Sequence, residues 1–110
     1  LDQVLNFIER HGDSRFSSLN STADITVRDR AGWWINESGI RIYLFTAGGI
    51  KEALKGFDLK RSLDILVSVG ALPEPNNLKG ERLKQRKIDG KNTKVYEINA
   101  EKLSNASGEF

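Results

Sequence analysis

Two helical patterns separated by a link of three residues, "KGF" (Lys55 to Phe57), constrain this chain most. The first, "AGGIKEA", follows Thr46, whose hydroxyl can cap a helix, although Gly48 and Gly49 weaken the propensity. The second, "DLKRSLDILVSVG", places Leu59, Leu63, Leu66 and Val67 on one apolar stripe. Asp58 stands at its N-cap and Gly70 at its C-cap. Gly56 permits a sharp bend between them, and two short helices so joined make a helix-turn-helix over residues 46–70.

The flanking segments read as one further helix and two hairpins. "LDQVLNFIERHG" spaces Leu1, Val4, Leu5 and Ile8 as one helical stripe closed by Gly12, predicting a helix over 1–12. Residues 13–24 are polar and read as a loop pinned by Phe16 and Leu19. In "RAGWWINESGIRIYLF" the turn residues "NESG" precede alternating Ile40, Ile42 and Leu44, which predicts a hairpin over 32–45. After "ALPEPNN", the runs "ERLKQRKI" and "TKVYEIN" flank Asp89-Gly90, a dipeptide suited to the positive φ of a tight turn, so residues 81–99 form a second hairpin. Leu83 and Ile88 have opposite parity in its first arm, which implies a bulge or a strand end. Residues 104–110 read as a flexible tail after a single domain over 1–103.

The chain of 110 residues fits one domain, and its 38% apolar share with a mean hydropathy of −0.45 suffices for one modest core. It has no cysteine, which excludes a disulfide framework or thiolate metal site and suits a reducing, cytoplasmic setting. No apolar run approaches the roughly 18 residues of a membrane span, and no signal peptide opens the chain. It begins at Leu1 and lacks methionine, as expected of a piece of a larger protein.

Charge is unevenly placed. Between Lys79 and Lys94 stand Lys79, Arg82, Lys84, Arg86, Lys87, Lys91 and Lys94 against Glu81 and Asp89, a net +5. The chain totals +2, so the remainder carries −3.

Helix, hairpin, helix, turn, helix and basic hairpin is the order of an α+β winged helix. In that layout the second helix of the pair enters a DNA groove while the hairpin lies along phosphates, which offer charge but no sequence. In a strand Arg82, Lys84 and Arg86 would share a face at roughly 7 Å intervals, with Lys91 and Lys94 extending the patch around the tip. With Lys87 these are the expected DNA-binding residues. Lys60 and Arg61 are candidates on the helix, with Asp64 one turn on opposing phosphate. If about four or five phosphates are neutralised, log K falls against log salt with a slope of roughly −4. The plainer alternative is that these lysines protect an edge strand or meet an acidic protein surface.

Trp33 and Trp34 would offer stacking to an unpaired base, but strand alternation turns at least one inward, and core packing is the reading we adopt. His11, the single histidine, reads as a helix-end residue rather than a metal ligand. "TAGGIK" lacks the Lys-Ser/Thr ending of a phosphate loop, and Ser14 in "GDSRF" has no base placed to activate it. No catalytic residue, metal, cofactor or small-molecule substrate is expected.

"FIERHGDSRF", "RDRAGWW", "YLF", "GFDLKRSLDIL" and "KVYEI" together resemble the C-terminal region of helicase or primase-type ATPases of plasmids, phages and genomic islands. Many of these are known only as a domain of unknown function, and they are similar to minichromosome-maintenance helicases in carrying a winged helix after the ATPase core. The likeness runs from about Asn6 to Ile98. It implies a DNA-replication role in a mobile element, with duplex DNA or a fork as partner. The ATPase core of the parent protein or an initiator is the alternative partner. No catalytic residue carries over, because the ATP-binding motifs of such proteins are absent from this chain.

Overall fold

A computed structural model describes residues 2–19, 27–74 and 82–107. Leu1 and residues 20–26, 75–81 and 108–110, which include Lys79 and Glu81 of the basic run, lie outside the described residues. The chain is α+β. In order it forms α1 (Asp2–His11), β1 (Phe16–Ser18), β2 (Gly32–Glu37), β3 (Ile40–Phe45), α2 (Ala47–Ala53), α3 (Leu59–Ser68), β4 (Lys84–Ile88), β5 (Lys91–Asn99) and α4 (Ala100–Ser107).

The helix pair forms where its caps predict. Thr46 Oγ1 accepts the Gly49 N–H at 2.9 Å, and Asp58 Oδ1 accepts the Arg61 N–H at 2.8 Å, each satisfying a donor that the first turn leaves open. Gly49 is needed for packing, because a Cβ there would collide with the Ala31 carbonyl on which α2 rests. Both hairpins turn on two residues of positive φ, Ser38-Gly39 and Asp89-Gly90, the geometry that matches strand twist.

Five strands run in the order β1-β2-β3-β5-β4. All neighbours are antiparallel except β1 and β2, which pair in parallel from Phe16↔Gly32 to Ser18↔Trp34. The segment read as a loop thus contributes an edge strand. Phe16 anchors it, with its ring edge-on to Phe45 and Tyr43 at 5.0 and 5.3 Å between centroids. The expected tail is in part a helix: Asn99 Oδ1 accepts the Lys102 N–H at 3.0 Å, and Leu103, fully buried, completes the core.

The sheet is apolar on both faces. On the helical side Tyr43, Phe45, Tyr96 and Ile98 join Val4, Phe7, Ile50, Leu63, Leu66 and Leu103. On the opposite side Ile35, Leu44, Ile88 and Val95 form a second cluster, with Trp33 and Ile42 against it. This resolves the parity of Leu83 and Ile88 without a bulge. The register of β4 on β5 is continuous from Lys84↔Val95 to Ile88↔Lys91, Leu83 packs on the main core, and Ile88 packs on the second.

Candidate nucleic-acid interface

The basic hairpin does not project from the domain as a free ribbon. Residues 96–99 of β5 pair with β3, while residues 91–95 pair with β4. From β4 to β2 is three strand spacings, roughly 14 Å across a flat sheet. Yet Arg86 on β4 donates from Nη2 to Glu37 Oε1 at the end of β2 at 3.0 Å. The hairpin is therefore tied to the end of β2. Two further observations agree: Ile88, beside the turn, is only 4% exposed, and Asp89 in the turn favours the charge of Arg30, just ahead of β2.

Strand alternation divides the expected cations into two groups. Residues paired across antiparallel strands share a face, so Lys84 and Arg86 lie on the side of Val95 and Ile88, and Lys87 and Lys94 lie on the other. Arg86 is held internally, donating also from Nε to Glu97 Oε2 at 2.6 Å. That bond, with the one to Glu37, raises its already high pKa despite partial burial. Arg82 is held as well, since its Nη2 donates to Oδ1 of Asp64 on α3. Lys84 Nζ lies 3.4 Å from the Glu74 carbonyl. Lys87, Lys91 and Lys94 are exposed. The single cationic face expected of Arg82, Lys84 and Arg86 is thus not formed, because carboxylates distant in sequence reach Arg82 and Arg86.

Lys60 and Arg61 are exposed in the first turn of α3. Asp64, expected to oppose phosphate there, has its charge matched by Arg82. Sequence reasoning missed this pairing, and it also missed Phe57 and Ile65, which are 53% and 43% exposed on and just before α3. The exposed Phe57 had a signal: it lies in the helix-to-helix link, outside the Leu59, Leu63, Leu66 stripe.

The tryptophans behave differently from a stacking platform. Trp34 packs on the main core and Trp33 on the second, and each is half-buried. Arg41 covers Trp34 at 3.9 Å and Arg30 covers Trp33 at 4.8 Å. Burial lowers the pKa of Arg30, which also donates to Ser17 Oγ and the Gly32 carbonyl.

A hollow of about 410 Å³ at the start of α2 is lined by Arg15, Asp29, Arg30, Thr46, Gly48, Gly49 and Glu52. Its polar groups are engaged with one another: Arg15 pairs with Glu52 and donates to the Asp29 carbonyl at 2.6 Å. Among the described residues no cluster of His, Asp and Glu could hold a metal ion, and no helix is long and apolar enough to cross a membrane. Comparison with protein-family models, with curated proteins and with solved structures gives no match for the chain.

Proposed function

We propose that the chain is a non-catalytic DNA-binding unit of winged-helix type, in which α3 and the outer side of the β4–β5 hairpin contact phosphates. The order β3-β5-β4, with α2 and α3 inserted between β3 and β4, is the arrangement such a unit requires and supports this reading. One observation carries it: Asp64 on α3 is matched to Arg82, and Glu37 and Glu97 are matched to Arg86, while Lys60, Arg61, Lys87 and Lys91 of α3 and the hairpin are exposed. In the setting implied by the resemblance, the unit assists a replicative helicase or primase-type ATPase of a mobile element.

The test is a titration of the chain with duplex and single-stranded DNA at low salt. Binding with a salt slope of roughly −3, from three or four neutralised phosphates, supports the reading. Replacing Lys60, Arg61, Lys87 and Lys91 by Glu should abolish binding without loss of fold. Affinity weaker than about millimolar for both ligands would instead favour a protein-docking role, on the parent ATPase core or an initiator. The exposed Ile65 on α3 is the observation that supports this second reading.

A further inference from the structure

Among the described aromatic residues Phe57 alone is exposed; Phe7, Phe16, Tyr43, Phe45 and Tyr96 are buried, and both tryptophans are covered by arginines. Its backbone is fixed. The Phe57 N–H donates to the Leu54 carbonyl at 3.0 Å, and Asp58 beside it caps α3. Gly56 before it, at φ +90°, adds no side chain of its own, and Phe57 is 53% exposed. Exposed Lys55, Lys60 and Arg61 surround it in sequence, while the Asp58 carboxylate is turned into the helix N-terminus.

An exposed ring in a stretch of chain that also carries exposed cations is the combination that binds unpaired nucleic acid. The ring stacks on the face of a base and the cations take the flanking phosphates. Paired bases within a duplex offer no free face, so a ring at this place gains nothing from duplex DNA. We infer that Phe57 seats an unpaired base and that the ligand of the α3 surface is single-stranded DNA, alone or as the open arm of a fork. The inference rests on the DNA-binding reading above and specifies its ligand.

The experiment titrates the chain against a labelled oligothymidylate and a blunt duplex of equal length at low salt, with wild type, Phe57→Ala and Phe57→Tyr. The expected result is tighter binding of the single strand and a loss of about 5- to 150-fold for Phe57→Ala on that ligand only. Phe57→Tyr, which keeps the stacking face, should stay close to wild type. Because the ring is exposed, thermal melts of all three proteins should coincide. Wild type that binds duplex at least as tightly as single strand, or Phe57→Ala that binds single strand like wild type, overturns the stacking and leaves the DNA-binding reading standing. Wild type that binds neither ligand overturns both.

Discussion

Arg82, at the foot of the basic hairpin, donates from Nη2 to Oδ1 of Asp64 on the outer side of α3. Its Nε is buried and has no hydrogen-bond partner among the described residues, so the guanidinium is held between the two elements. Asp64 is the one acid within α3, and its charge would otherwise oppose any anion brought near Lys60 and Arg61. In the DNA-binding reading Arg82 thus acts through Asp64.

Arg82→Ala should weaken DNA binding about 3- to 5-fold, the size of one charge pair about 4 Å apart in water. Adding Asp64→Asn should restore it. If Arg82 held a phosphate directly, the double variant would stay as weak as the single one. Stability should change by less than about 1 kcal/mol, since Asp64 is half exposed. Anisotropy titrations with urea melts separate the two effects.

Arg86 is predicted to be a stability residue. Removing it leaves Glu97, whose side chain is only 18% exposed, without its partner beside the second apolar cluster. Arg86→Ala should cost about 2 kcal/mol. Arg86→Lys should recover only part, because one ammonium cannot reproduce the planar fork that reaches Glu97 and Glu37 together. Urea unfolding measures both. DNA affinity per folded molecule should fall as well, because Glu37 and Glu97 would then stand unmatched beside the hairpin, so charge reversal at Lys84, Arg86 and Lys87 together would confuse unfolding with lost contact.

What the sequence made legible is what is local. The Thr46 and Asp58 caps, the bend at Gly56 and the turns at Ser38-Gly39 and Asp89-Gly90 each depend on residues within a few positions, and each formed. Three-residue β1 was illegible because it is held by parallel pairing to residues 16 positions on and by one phenylalanine in the core. The partners of the cationic run were illegible for the same reason. Asp64, Glu97 and Glu37 lie 18, 11 and 49 positions from the arginines they bind. Charge density along a chain says nothing of which acids the fold returns to it, and a period-two pattern with one assumed core cannot show that Leu83 and Ile88 both face inward on opposite sides.

The second cluster offers a direct measure of how the hairpin sits. Ile88 adjoins the turn, where a projecting ribbon would leave it in solvent and Ile88→Ala would cost under about 0.5 kcal/mol. Packed with Ile35, Leu44 and Val95, it should instead cost about 2–4 kcal/mol in urea unfolding, with the slope against denaturant unchanged.

The pairing of Arg15 with Glu52 links the segment after α1 to α2 and predicts a pH dependence. The hydrogen bond from Arg15 holds the Glu52 carboxyl below its ordinary value of 4.5, with the charges of Arg15, His11 and Lys55 acting in the same direction. A carboxyl whose folded pKa is depressed binds fewer protons in the folded chain than in the unfolded one. Its contribution to stability is therefore present above about pH 4.5 and lost as the pH falls through the lowered folded value. Glu52 is 48% exposed, so the contribution is small and screened by salt. Wild type should melt slightly above Glu52→Gln at neutral pH, and the gap should close in acid and shrink in salt on the order of 0.5 M. Thermal melts across pH 3 to 7 check this, and a gap that is constant with pH would mean that packing rather than charge links the two elements.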